Sequence, residues 1–494
     1  MTKIPLAAAL LTLGIHLVAN PHYGFFRDEL YFIVCGFRPA WGYVDQPPLV
    51  PLLSAGTQLF GTSLFALRAL PALFAAAGVY VTCLLAIEIG AGRFGVTFAA
   101  LLTAVLPLLN AFGTKVSTDM PGLLFWPLIA LLVTRIVNGG SPRLWIWAAI
   151  AFGIGSEAKY TMFFYGAAML LGIALTAQRR ILLSPWFPIA ILIGSAIALP
   201  SLLWQVFHGW PFVEMIHAQQ DREIVLYSPP AYVLQQAMLT NPILAPVWIA
   251  GLIYAFIEPK LRWIGWTYVL LIVAMIGLHG RNYYPGDIYP LLIAAGAVAI
   301  ERSAALKRWR PAIVAVVVVA SVLTIPFVYP VMAEARLAAL IDAGQRKMPI
   351  DMAPARDDYS PITQNFADMH GWPQLTAAVA EVYDSLPPSQ RARAAVLAGN
   401  YGEAAAIDVY GHRYDLPPAI SGHNNYWIWG SRGYDGSIIV EVNGTCGAAF
   451  RSGRVLARFR NRWVMPTENG IPISICYGLR EPLSQYWPHL QRYI

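Results

Sequence analysis

Charge is scarce in this chain. Only 12% of its 494 residues are Asp, Glu, Lys or Arg, while 57% are hydrophobic and the mean hydropathy is +0.53. A typical soluble domain carries about twice that charged fraction, so a soluble globular protein is excluded and a polytopic membrane protein is expected. Cysteine is scarce as well, and the four present have no spacing that suggests zinc. Cys35 and Cys83 lie in or near the apolar part. Cys446 and Cys476 lie near the C-terminus, and whether they bridge depends on a Cα distance that separation in sequence does not give. There is no P-loop, no Rossmann glycine fingerprint and no internal repeat, so nucleotide hydrolysis and an inverted-repeat transporter have no direct support. The net charge of +7 is dispersed over several short loops, which argues against nucleic acid as a partner.

Long apolar runs are what the chain has. They fall at roughly residues 4–20, 64–89, 94–112, 121–137, 144–157, 160–177, 181–203, 241–257, 263–278, 287–300 and 311–330, about eleven transmembrane helices. Several are shorter than the roughly 20 residues that a straight span needs. The first run follows Lys3 without a small-residue cleavage site and is expected to stay as a span. Arg93, then Arg135 and Arg143, Arg179 and Arg180, Lys260 and Arg262, and Arg302 to Arg310 fall on one side. The positive-inside rule makes that side cytoplasmic. Outside then lie residues 21–63, the turns at 115–120 and 157–160, residues 204–240, the turn 279–289 and the chain from about 331.

That C-terminal stretch is a different kind of sequence, with apolar residues in short runs. Residues 372–386 have helical spacing, and 394–397, 437–442, 455–459 and 471–477 read as strands. Two units are therefore expected: residues 1–330 in the membrane, and 331–494 as an extracytoplasmic α/β domain, large enough to fold independently.

The outer rim gathers the chemistry. The first loop supplies Arg27, Asp28, Glu29, Asp45 and Gln46; the second supplies Lys115 and Asp119; the third Glu157, Lys159 and Tyr160. Later loops add His217, Gln219, Asp221 and Arg222, then Arg281, Tyr283, Tyr284 and Asp287. Carboxylates near hydrocarbon are costly unless neutralised, so acids at a membrane rim are functional candidates. A carboxylate can serve as general base toward an acceptor hydroxyl, and cations at the same depth can hold a phosphate leaving group. Each residue also has a plainer reading: Lys115 and Arg281 as snorkelling cations, Tyr283 and Tyr284 as belt aromatics, Asp45 as a turn residue.

The motifs Phe25-Phe-Arg-Asp-Glu-Leu-Tyr31 and Tyr43-Val-Asp-Gln-Pro-Pro-Leu49, followed by Ser117-Thr-Asp-Met-Pro121, Ala158-Lys-Tyr-Thr161 and Arg281-Asn-Tyr-Tyr284, resemble those of bacterial glycosyltransferase family 39-like proteins of the GT-C superfamily. These are relatives of protein O-mannosyltransferases and of the aminoarabinose transferase that modifies lipid A. The resemblance covers about residues 1–330. It implies a GT-C fold in a bacterial cytoplasmic membrane, with the active site and C-terminal domain on the periplasmic side. The implied donor is a polyprenyl-phosphate-linked sugar, the acceptor a lipid, glycan or protein, and the mechanism inverting. Asp28 corresponds to the catalytic base, with Glu29 and Asp119 as accompanying acids, and Lys159 and Arg281 to a phosphate clamp. The C-terminal Tyr401-Gly-Glu-Ala404 and Ser421-Gly-His-Asn-Asn-Tyr426 look like segments of domains attached to some members. Tyr426, Trp427 and Trp429 there suit either sugar stacking or packing, and His423 either an acceptor contact or the same. Asp28, Glu29 and Asp119 leave a divalent cation open without forming a closed ligand motif. A flippase of lipid-linked sugars and a non-catalytic scaffold are the alternatives; the clustering of acids on one face disfavours the first.

Overall fold

The computed structural model describes residues 3–222, 228–347 and 360–493; the side chains of Asp221 and Arg222 lie outside the described residues. Each of the eleven apolar windows falls on a helix or a bent helix pair, from Lys3–Ala19 and Leu64–Ile89 to Tyr289–Arg302 and Arg310–Val328. By length and composition four helices suffice to cross a membrane: Leu64–Ile89, Trp186–Phe207, Pro259–Gly277 and Lys307–Val328. Two bent pairs raise that to six. In one of them Arg93–Val105 meets Pro107–Thr114 at 58°. Pro107 lacks the N–H that a continuous helix would need there, and Leu106 before it is extended. The outermost helices leave Leu192, Leu199, Val319 and Leu323 exposed, an arrangement that suits lipid as the surrounding solvent.

The C-terminal region holds a sheet of β1 (Ala395–Ala398), β2 (Ile438–Val442), β3 (Phe450–Phe459) and β4 (Ile471–Leu479) in the order β1-β2-β4-β3. β1 runs parallel to β2 and the other pairs are antiparallel. The parallel pair requires a crossover, which opens with the helix Tyr401–Tyr410. The expected helix is present as Trp372–Asp384, and all four expected strands fall on observed ones. β3 begins five residues earlier than its apolar run, because Arg451 to Arg454 lie on an exposed edge where no hydrophobic alternation is imposed. Cys446 and Cys476 form a disulfide with Cα atoms 5.3 Å apart.

The sheet does not keep its core to itself. Leu375, Val379, Val396, Ala405 and Ile473 share one apolar cluster with Leu30, Tyr31 and Ile33 of the 21–63 segment and with Val116 and Met120 of the 115–120 turn. The C-terminal region is thereby seated on the loops that carry the candidate residues.

Candidate active site

The helix Arg27–Gly36 begins at the motif that carries the paired acids. Asp28 and Glu29 occupy its first turn, where the helix dipole favours negative charge. Successive side chains are about 100° apart around a helix, so the two acids leave in different directions.

Glu29 turns inward. Its carboxylate accepts from Phe26 N at 2.8 Å, from Val116 N at 2.9 Å and from Arg68 Nη2 at 2.9 Å and Nε at 3.1 Å. Both side chains of the pair are fully buried. Arg68 also donates to the carbonyls of Asn20, His22 and Gly24, so its donor fork is saturated. Glu29 thus ties together the first loop, the helix Leu64–Ile89 and the 115–121 turn. The role expected of it alongside Asp28 has no free lone pair to act through.

Asp28 turns outward with 36% of its side chain exposed. Its Oδ1 accepts the Tyr401 hydroxyl at 2.6 Å and lies 3.7 Å from Arg27 Nε. Its Oδ2 has no hydrogen-bond partner among the described residues. Tyr31 lies one turn beyond both Arg27 and Asp28, on the face between them. Tyr401 covers that face, its ring 4.8 Å from that of Tyr31 and with Arg27 Cζ 5.2 Å from its centroid. Burial works against the charge of Arg27, but Tyr401, Asp368, Asp28 and Glu468 outweigh it and hold the guanidinium firmly protonated.

Asp45 joins this group. The Tyr31 hydroxyl lies 3.3 Å from Asp45 Oδ1 and 3.2 Å from Asn425 Oδ1, and Val44 N donates to the same Asn425 oxygen at 2.7 Å. Burial pushes the Asp45 carboxyl up to about 7, and the charge of Asp28 adds to the shift. Gln46 is fully buried beside it. Lys115 sits with Nζ 2.5 Å from Asn365 Oδ1 and 4.3 Å from the Phe26 ring centroid. Burial lowers it to about 8, against the opposing pull of Asp28, Glu29 and Asp368.

A second group forms around Asp119, in the turn ahead of the helix Gly122–Val137. Lys159 Nζ donates to Asp119 Oδ1 at 2.5 Å and lies 5.3 and 4.6 Å from the ring centroids of Tyr283 and Tyr284. Asp119 outweighs burial and keeps Lys159 above its ordinary range. Asp287 is buried against Gly122, where a Cβ would collide with its carboxylate; burial and the charge of Asp119 raise it well above the ordinary carboxylate range. Arg281 accepts the Tyr232 hydroxyl on its carbonyl at 3.0 Å, and its charge is felt by Tyr283. Tyr160 packs edge-on against Phe212 with its hydroxyl buried. Lys115 belongs to the first group and Asp119 to the second, and four residues of chain span at most about 14 Å.

The three acids expected to attract a divalent cation are not brought to a common point. Glu29 is engaged by Arg68 and Asp119 by Lys159. Among the described residues, one group of acidic and sulfur ligands lies close enough to share an ion, Glu441 with Cys446 and Cys476, and its two sulfurs form the disulfide. The C-terminal aromatics are taken up by packing. Tyr426 is buried with its hydroxyl 3.0 Å from Asp408, Trp429 lies under Arg38, Trp427 packs edge-on against Tyr493, and His423 backs onto Tyr401. The reading of the sequence missed Arg68 as a partner of Glu29, although a lone charge inside an apolar window was a signal for it. Tyr401, Asn425 and Asp368 carried no such signal.

The model for the dolichyl-phosphate-mannose-protein mannosyltransferase family matches residues 45–204, about a third of the chain. No curated protein sequence matches. Two solved structures of ArnT from Cupriavidus metallidurans share the fold over nearly the whole length. The apo form aligns with a TM-score of 0.58 and 13% identity, covering 96% of this chain and 97% of that one. The form bound to undecaprenyl phosphate gives 0.56 and 15%, with the same coverage. Residues 45–204 thus match the mannosyltransferase family model, and the chain as a whole shares the fold of the ArnT structures.

Proposed function

We propose that this protein moves a sugar from a polyprenyl-phosphate-linked donor to a lipid, glycan or protein acceptor on the extracytoplasmic face of a bacterial cytoplasmic membrane. Asp28 is the general base. Its outward oxygen takes the proton from the acceptor hydroxyl as that hydroxyl attacks the anomeric carbon in a single inverting displacement. Lys159 and Arg281 receive the departing phosphate, and Tyr160, Tyr283 and Tyr284 wall that side. An ammonium has three N–H bonds, and Lys159 gives one to Asp119, so Asp119 orients the cation while others stay available. Arg27, Asp45, Gln46 and Lys115 line the acceptor side. Glu29 has a structural role, tying the first loop to Arg68 and to the 115–121 turn. Residues 1–330 hold the transfer machinery, and residues 331–494 close over it from the same face.

The observation that carries this reading is the division of labour between adjacent acids, one saturated and buried, the other half open at the rim. Cations and carboxylates converge on one face, as a phosphate-leaving transfer needs. The test is transfer of label from a panel of radiolabelled polyprenyl-phosphate sugars to membrane extract, with Asp28→Asn beside the wild type. Label moving with the wild type alone supports the assignment and names the donor. Full activity in the variant removes Asp28 as base, and no transfer by either intact protein turns the weight to a flippase or scaffold.

A further inference from the structure

We propose that the C-terminal region completes the active site, with Tyr401 as a positioning residue for Asp28. This rests on the reading of Asp28 as base.

The contact is built, not incidental. Asn400 caps the helix Tyr401–Tyr410, accepting from Gly402 N at 2.9 Å and Glu403 N at 3.0 Å, while the Glu403 carboxylate reaches back to Gly399 N at 2.7 Å and Asn400 N at 3.3 Å. That reciprocal cap fixes the direction in which the first helical residue leaves the backbone. Tyr401 is that residue. Behind it stands the His423 ring, 4.9 Å between centroids. Below it Gly402 presses on Arg27 so closely that a Cβ would collide with the arginine side chain. A second strut comes from Asn425, whose Oδ1 meets Val44 N and whose N donates to the Tyr31 hydroxyl at 3.2 Å.

The physical consequence concerns rotation. A carboxylate on the first turn of a helix, more than a third exposed, is otherwise free to turn about its χ angles. The phenol at 2.6 Å from Oδ1 is at the length of a charge-assisted hydrogen bond. It holds Oδ1 in one direction and leaves Oδ2 without a donor among the described residues. Among the described residues Tyr401 alone donates a hydrogen bond to that carboxylate, with Arg27 Nε 3.7 Å from the same oxygen, so its orientation depends in large part on a residue 373 positions away in sequence.

Tyr401→Phe keeps the ring, its tilted contact with Tyr31 and its place under Arg27, and removes the hydroxyl alone. A charge-assisted hydrogen bond lost from a reacting group lowers kcat by about ten- to hundredfold, with the donor KM within about twofold and the melting temperature held. Tyr401→His, a smaller ring that still carries a donor, should recover at least about a third of that loss on a logarithmic scale. Asp28→Asn is assayed in the same series. An inactive Asp28→Asn beside a Phe variant with wild-type kcat overturns the positioning role and leaves the base intact. Equal losses in the Phe and His variants overturn it too, because the donor would then be irrelevant. Full activity in Asp28→Asn overturns the reading on which the inference stands. Should the Phe variant fail to fold, the His variant decides: a folded His variant with wild-type donor KM and kcat within about tenfold of wild type supports the role, and a raised KM contradicts it.

Discussion

The candidate site has two acidic groups, and they are made differently. Around Asp28 the carboxylate is held on one oxygen by a neutral phenol from the far end of the chain, and its other oxygen is open. Around Asp119 the carboxylate meets a buried lysine at 2.5 Å, between two tyrosine rings and beside a second acid, Asp287. A carboxylate paired with an ammonium is a poor base, because taking a proton would break the pair. The Asp28 carboxylate, held on Oδ1 by a phenol and with Arg27 Nε 3.7 Å from the same oxygen, gains a direction while Oδ2 has no hydrogen-bond partner among the described residues. On the proposed reading, opposite charge suits the place where a phosphate arrives and an open carboxylate the place where a proton leaves, so that reading assigns the two halves of a transfer reaction to different loops.

The sharpest break in this comparison is through Glu29, the acid that both groups depend on because it binds the 115–121 turn to the first loop. Glu29→Ala leaves Arg68 charged and unpaired in a fully buried place. Loss of one partner of a buried pair costs about 3–5 kcal/mol, a large part of the stability of a folded domain. The variant should melt far below the wild type in detergent or not accumulate at all; a wild-type melting temperature contradicts the pairing.

Removing the cation of the second group comes next. Lys159→Met should weaken the hold on the donor phosphate by about ten- to hundredfold, as expected for a charge-assisted contact. The change should appear in the donor KM, and far less in acceptor KM. An effect on acceptor KM alone would reverse the assignment of the two groups.

The smallest expected effect is a pH slope. Burial raises the Asp45 carboxyl from 3.8 to about 7, so the folded state keeps a proton that the unfolded chain releases near pH 4. The stabilisation is fully present below that value and is lost as pH rises toward 7. Asp45→Asn should flatten this decline, read as melting temperature from pH 4 to 8. An unchanged slope would mean that Asp45 is not the group responsible, and Glu157, raised to about 7 mainly by burial, would be examined in the same way.

The apolar helices were legible because hydropathy marks them: all eleven windows land on helix, and among the described residues four to six of these are long and apolar enough to cross a membrane. The strands of the C-terminal sheet were legible by their short apolar runs, apart from the start of the edge strand β3. Most candidate residues do lie at helix ends or in turns, where polar side chains are not forced into apolar spans. What could not be read is partnership. Nothing local distinguishes Asp28 from Glu29; the difference comes from Arg68, 39 residues on, and Tyr401, 373 residues on. The C-terminal region was expected to be an independent α/β domain, yet its core is continuous with Leu30, Tyr31 and Val116. Composition marks the change of solvent at about residue 331, not the surface on which the next segment will dock.

The central claim, that adjacent acids have opposite tasks, is tested most directly by measuring kcat and melting temperature for Asp28→Asn and Glu29→Gln in one preparation series with a labelled polyprenyl-phosphate sugar. The account predicts that Asp28→Asn melts like the wild type with kcat down by at least about a hundredfold. Glu29→Gln should melt several degrees lower, with the folded fraction turning over near the wild-type rate. A stable, inactive Glu29→Gln beside an active Asp28→Asn would contradict it.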